Sequence, residues 1–173
     1  MTTAIAKNDE IFKFKTNDDI EFSLPFEQIK LFTTLENLLI DLINTGEKDI
    51  PIPLAEIKST IFKLAIEYIT LYKNNNGVKP LTDEEKQDEL KYLTINSWEQ
   101  QFLSKLNQQE MFDLILAANY LENKHLLECT CKFVASDMLK KTDDEIRKMW
   151  GVENDFTPEE QALYEEEKKW AAE

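Results

Sequence analysis

The chain has 173 residues, 34 of them acidic against 20 basic, for a formal net charge of −14. That length suits one domain, or one domain with an appendage, and the acidic balance argues against nucleic acid and disfavours anionic membranes. No apolar run approaches the roughly 20 residues needed to cross a bilayer and the N-terminus lacks the apolar core of a signal peptide, while Cys129 and Cys131 lie too close for an ordinary disulfide, so a reducing compartment, cytoplasm or nucleus, is expected.

In chain order, the first seven or eight residues read as a loose terminus. Ile11-Phe-Lys-Phe-Lys15 and Ile20-Glu-Phe-Ser-Leu24 are strand candidates; Ile20, Phe22 and Leu24 alternate with Glu21 and Ser23, the period of a half-buried strand. Thr16-Asn-Asp-Asp19 supplies turn residues between them and predicts a hairpin. From about Glu27 to Ile43 the spacing becomes helical, with Leu31, Leu35, Leu38, Leu39 and Leu42 on one side and Asn44-Thr-Gly46 to end it. In Ile50-Pro-Ile-Pro-Leu54 the apolar residues alternate, and two prolines pointing the same way predict an edge strand, because neither can donate to a ladder. A helix from Ile57 to Tyr72 follows, with Ile61, Leu64, Ala65, Tyr68 and Ile69 inward.

Residues 74–96 interrupt the pattern. Asn74-Asn-Asn-Gly77 is a stop and Leu81 to Leu90 is mostly charged, so a mobile acidic insert is expected there. Beyond it the chain reads as helices with matching caps. Ser97 with Gln100 precedes Trp98, Phe102 and Leu103; Asn107 with Glu110 precedes the apolar helix to Leu121; another helix runs from Leu126 to Leu139. Thr142 with Glu145 opens one that stops near Gly151, and Thr157-Pro-Glu-Glu160 opens the last, with Pro158 where a missing N–H costs nothing.

Candidate chemistry is sparse. His125 and Cys129 are four apart on one helix, but zinc wants four ligands and the chain has one histidine and two cysteines. A nucleophile dyad needs an orienting group and an oxyanion site, and no Gly-rich or nucleophile-elbow signature is present. No metal, cofactor or catalytic residue is expected. Two helical positions differ by roughly 200°, so Cys129 and Cys131 face apart, one toward core and one toward surface. Residues 143–173 hold eleven acids against four bases, net −7, half the charge of the chain. Most of that is a solvated face, yet Trp150, Phe156 and Trp170 sit within it, and large aromatics in a polar tail read as anchors for a partner. In the helix before Leu121, Met111, Leu114, Ile115, Ala118 and Leu121 share a face assigned to core, while Phe112, Leu116, Asn119 and Tyr120 project elsewhere.

These segments carry a family resemblance. The order of two strands, helix, proline-bearing strand, helix, acidic insert and helices resembles the Skp (S-phase kinase-associated protein) family, whose core is a BTB/POZ fold. Trp98-Glu-Gln-Gln-Phe-Leu103 is similar to that family's Trp-Asp-x-x-Phe-Leu segment, Leu114-Ile-Leu-Ala-Ala-Asn-Tyr-Leu121 to its central helix, and Leu126-Leu-Glu-Cys-Thr-Cys-Lys132 to the next. Glu145-Ile-Arg-Lys148, Asn154-Asp-Phe-Thr-Pro-Glu-Glu160 and Trp170 resemble its C-terminal extension. Departures mark a diverged paralogue: Pro25-Phe-Glu-Gln28 stands for Ala-x-x-Ser, Leu54 for asparagine, His125 for glycine, Asp137 and Lys140 for methionine and glycine, and Trp170-Ala171 for Trp-Cys.

The resemblance implies an α+β fold, a BTB/POZ-like core over 8–139 with a helical extension over 140–173. It implies a non-catalytic adaptor that bridges a cullin scaffold to F-box proteins in an SCF-type ubiquitin ligase. Cullin contact would fall on Asn119 and Tyr120 with Phe112 and Leu116, and F-box contact on Ile146, Trp150, Val152, Phe156 and Trp170. The rival reading is a structural module that binds F-box-type partners without a cullin, or that forms a homodimer when unpartnered.

Overall fold

A computed structural model of the protein describes residues 10–45, 50–75 and 93–171. Two compact units divide between Ser136 and Asp137. In the first, strands β1 (Ile11–Thr16) and β2 (Glu21–Pro25) form an antiparallel hairpin, and β3 (Ile52–Leu54) joins β1 in parallel, giving the order β2-β1-β3. Helices α1 (Phe26–Ile29), α2 (Thr33–Thr45), α3 (Ser59–Asn74), α4 (Ser97–Leu103), α5 (Gln108–Tyr120) and α6 (Lys124–Met138) follow the chain around this sheet. The second unit carries α7 (Asp143–Trp150) and α8 (Pro158–Ala171). The acidic insert expected over 74–96 falls mostly on 76–92, outside the described residues.

Sheet polarity follows from alternation. Phe12, Phe14 and Thr16 of β1 are buried while Ile11 and Lys13 face outward. Strand β3 lies at the edge as the prolines require: Ile52 and Leu54 are buried, Pro53 is exposed, and Phe14 stands opposite Ile52. Ile20 departs from the expected alternation. It sits in the turn ahead of β2 and is exposed, because the hairpin closes with Asp19 in the left-handed region at φ 62° and the strand starts one residue later.

The segment expected as one helix from 27 to 43 is two. Phe26, Ile29 and Phe32 are all buried, and the chain turns at residues 30–32 before α2 begins. Leu35, Leu39 and Ile43 then form the buried stripe of α2, with Leu31 and Leu42 packed partly against it, whereas Leu38, expected inward, is exposed. In α3 the buried face is Ile61, Phe62, Ala65, Tyr68 and Ile69. Phe62 touches both layers: its ring lies edge-on to Phe22 at 5.0 Å and within 6.1 Å of Phe14 and 6.3 Å of Phe32.

The start of α3 is completed from outside the helix. Asp18, in the hairpin turn, accepts the Ser59 N–H at 3.0 Å and the Ser59 hydroxyl, and also accepts the Thr16 hydroxyl at 2.6 Å. The backbone strengthens the tie, since Asn17 N–H donates to the Ile57 carbonyl at 3.0 Å. A carboxylate at a helix N-terminus satisfies an orphan amide and meets the positive end of the helix dipole.

The hydrogen bonds from Ser59, then Thr16, hold the Asp18 carboxyl at about 2, below the ordinary aspartate value of about 3.9. A lowered folded-state value means stability that is complete above the unfolded value and is lost as pH falls through the folded one. Asp18→Ala is therefore expected to lower the melting temperature at pH 7, and the gap from wild type is expected to narrow as pH falls from about 4 to about 2. Thermal melts of both proteins across that range check it; a gap independent of pH would count against the ionised cap.

Candidate functional site

Two surfaces and one buried cluster hold the residues that the sequence singles out. The first surface is on α5. Asn107 and Glu110 open that helix as a reciprocal pair: Asn107 Oδ1 accepts the Glu110 N–H at 2.9 Å and Glu110 Oε2 accepts the Asn107 N–H at 2.9 Å. Met111, Leu114, Ala117, Ala118 and Leu121 are buried, and Ile115 is partly so. Leu116, at 68% exposure, and Asn119 are exposed, while Phe112 and Tyr120 are half-buried. The spacing 112, 116, 119/120 places all four on one stripe.

That stripe ends at a well-defined joint. Beyond Tyr120 the chain turns with Glu122 at φ 52°, and Leu121, Glu122 and Asn123 return their N–H groups to the carbonyls of Ala117, Asn119 and Ala118 at 2.9, 3.1 and 3.0 Å. Asn123 is buried, and its Oδ1 accepts the Leu126 N–H at 3.0 Å, starting α6.

The second surface is the C-terminal unit. Each of its helices closes its own start: Glu145 Oε2 accepts the Thr142 N–H at 2.8 Å and Glu160 Oε2 accepts the Thr157 N–H at 2.9 Å. These backbone donors hold the Glu145 and Glu160 carboxyls below their ordinary range. Gly151 ends α7 at φ 65°, with Val152 N–H donating to the Arg147 carbonyl at 2.9 Å. Asp143 links the two helices by accepting from Lys168 at 2.6 Å and the Tyr164 hydroxyl at 3.0 Å, and those bonds lower its carboxyl, Lys168 first. Phe156 lies 5.9 Å from the Tyr164 ring and 5.5 Å under Arg147. Helix α7 buries no residue. Ile146 is half-buried, and Trp150, Val152, Phe156 and Trp170 are 45%, 59%, 44% and 80% exposed.

The buried cluster centres on Glu99. Its side chain is 2% exposed; Oε1 accepts the Tyr68 hydroxyl at 2.9 Å, and Oε2 accepts Asn96 N–H and Nδ2 at 2.9 and 2.8 Å. The cap of α4 is thus Asn96 with Glu99, one residue ahead of the expected Ser97–Gln100 pair, because only Glu99 points inward, where a second donor waits on α3. The sequence carries the signal, Asn96 three before Glu99, but nothing local ranks it over its neighbour. Cys129 lies beside this carboxylate. Burial pushes its thiol up, the nearby Glu99 adds to that, and burial likewise raises the Tyr68 phenol. Both groups are neutral at ordinary pH, and a thiol held protonated is a poor nucleophile.

His125 is exposed and stacks on Tyr72 at 5.1 Å, while Cys129 is buried and Cys131 exposed. Among the described residues no group of three or more His, Cys, Asp or Glu is arranged to hold a metal, and no helix is long and apolar enough to cross a membrane.

A small sheet edged by a proline-bearing parallel strand, wrapped by helices and followed by a helical C-terminal region, defines an α+β domain of the POZ type. Comparison with known proteins agrees: residues 10–74 match the Skp1 family tetramerisation domain and residues 124–171 the Skp1 family dimerisation domain. The "SCF ubiquitin ligase complex protein SKP1b" of Dictyostelium discoideum is 36% identical over 92% of this chain and 94% of its own length. The "E3 ubiquitin ligase complex SCF subunit sconC" of Talaromyces stipitatus is 35% identical over 91% and 94%. The "Skp1-related protein" of Caenorhabditis elegans is 37% identical over 95% and 93%. The chain belongs to the Skp1 family.

Tyr68→Phe removes one of the three donors to a buried carboxylate and changes little else in shape. A loss of about 1–3 kcal/mol in urea unfolding is expected, the cost of leaving a buried acceptor short of a partner. Unchanged stability would show that Glu99 does not depend on the phenol.

Proposed function

We propose that the chain is a non-catalytic adaptor of an SCF-type E3 ubiquitin ligase, joining a cullin to F-box substrate receptors in the cytoplasm and nucleus. The observation that carries this reading is the C-terminal unit. Its helices are capped at every described start and cross-linked through Asp143, yet Trp150, Val152, Phe156, Leu163 and Trp170 remain open to solvent. Order without a core is suited to a surface that waits for a protein. Burying each of these side chains against a partner contributes on the order of 1.5–3 kcal/mol, enough together for tight binding after association entropy is subtracted. The surrounding carboxylates form a polar rim that favours basic partners and speeds encounter at low salt. Membership of the Skp1 family, with relatives bearing SCF-subunit names, supports the same reading.

The α5 stripe is the scaffold side of the proposal. Asn119 and Tyr120 supply the polar and aromatic contacts, Leu116 the exposed apolar one, and Phe112 backs it one turn earlier. The adaptor acts by holding receptor and scaffold together, which raises the effective concentration of the groups that react.

Asn119→Lys with Tyr120→Lys is expected to abolish cullin capture while sparing F-box capture, since losing a tyrosine anchor typically costs about 2 kcal/mol or more. Trp150→Ala and Trp170→Ala are expected to do the reverse, each weakening F-box binding by roughly thirtyfold. Pull-downs with purified cullin and F-box protein, backed by titration calorimetry, check both. A wild-type chain that captures F-box proteins but never a cullin would shift the assignment to a structural, self-associating module. Tryptophan variants that keep full F-box affinity would make the extension a solvated tail.

A further inference from the structure

The end of α5 and the start of α2 complete each other. Backbone turns close the carbonyls of Ala117, Ala118 and Asn119, as described above, and the next three carbonyls in the chain are closed by α2. Tyr120 O accepts the Thr34 hydroxyl at 2.8 Å, Leu121 O accepts the Thr34 N–H at 3.4 Å, and Glu122 O accepts the Thr33 hydroxyl at 3.3 Å. Six consecutive carbonyls, residues 117–122, are therefore satisfied, half of them by two threonines more than 80 positions earlier in the chain. The joint sets the positive end of one helix against the negative end of another. It also holds Glu122 in a left-handed conformation that a side chain other than glycine's adopts only at some cost.

We propose that Thr34 is a positioning residue for the scaffold-binding surface: its hydroxyl fixes the last turn of α5 so that Asn119 and Tyr120 are presented in one arrangement before a partner arrives. The inference rests on the assignment of that stripe to a cullin, and adds the residue that determines its competence. Neither Thr33 nor Thr34 lies on the α5 stripe; Thr34 is half-buried, and its hydroxyl is directed to the main chain of Tyr120. Removing it leaves the Tyr120 ring in place chemically but frees the turn that carries it. Binding then weakens in proportion to the fraction of molecules with the turn intact.

Thr34→Val keeps the shape and β-branching and removes the donor, and Thr34→Ser keeps the donor. Three readings are taken on the full chain: cullin affinity, F-box affinity, and amide exchange at residues 121–123. Thr34→Val is expected to weaken cullin binding about fivefold to tenfold and to speed exchange at Glu122 and Asn123 by a similar factor, the size of one net hydrogen bond. F-box affinity stays at the wild-type value, and Thr34→Ser restores both altered readings. A general loss of stability would lower both affinities and would overturn the proposal. So would a Thr34→Val chain that matches wild type in cullin affinity and exchange. A wild-type chain with no cullin affinity overturns the scaffold assignment itself, and its distinct sign is failure in every variant alike.

Discussion

A carboxylate removed from water has to be matched by donors, and Glu99 is such a group. Burial of an isolated ion costs several kcal/mol even after the protein relaxes, so the three bonds from Tyr68 and Asn96 decide whether the cluster favours the fold or opposes it. Two of those donors belong to the residue that starts α4, and the third comes from the middle of α3. The contact joins parts of the chain on either side of residues 76–92, and α4 has one seating in which it is satisfied. Phe102 and Leu103 then reach the core, and the Tyr68 ring packs, tilted, against Trp98 at 5.4 Å and Phe102 at 5.9 Å. Apolar contact alone would tolerate α4 slipping by a turn. The carboxylate does not, because a slip would strand a buried charge.

Helix ends are treated differently in the two units. In the first, α4, α5 and α6 start on local asparagine caps, but Asp18 completes the start of α3 from a hairpin and the threonine pair completes the end of α5 from α2, so those two ends depend on tertiary structure. In the second, Thr142 with Glu145, Gly151, and Thr157 with Glu160 finish both ends of α7 and the start of α8 from within a few residues. Helices of eight and fourteen residues are marginal alone. Self-contained caps and the Asp143 node supply order that a core would otherwise supply, and the apolar side chains are released from that duty.

This difference explains what is legible in the sequence. The C-terminal caps, the proline-marked edge strand and the opposite placement of Cys129 and Cys131 all rest on local rules, and each is read directly. The turn at residues 30–32 is not, because Phe26, Ile29 and Phe32 look helical until the sheet they pack against is known. Ile20 is left outside because the hairpin closes at Asp19, and Leu38 falls on the open face of α2. Asn96 and Ser97 are equally good caps in isolation, and only Tyr68 separates them. Nothing near Thr33 or Thr34 announces that their hydroxyls belong to residues 120 and 122. The family resemblance marks the α5 stripe, and the structure adds how it is held.

The two surfaces consequently differ in kind. Helix α5 is buried along two sides, with Ala117 and Ala118 adjacent in sequence and both covered, so its exposed stripe is narrow and fixed from beneath. In the proposed scaffold contact a partner would have little left to order, and specificity would be a matter of placement: one leucine, one asparagine and one tyrosine beside a hydrogen-bonded turn. The C-terminal unit offers the opposite bargain, broad apolar exposure on helices with no core of their own. In the proposed receptor contact a partner would supply the missing burial, and the surface would provide affinity more than placement. For the proposed adaptor that asymmetry would give a rigid, economical contact on the scaffold side, and on the receptor side a surface whose apolar side chains can accommodate more than one arrangement of partner helices.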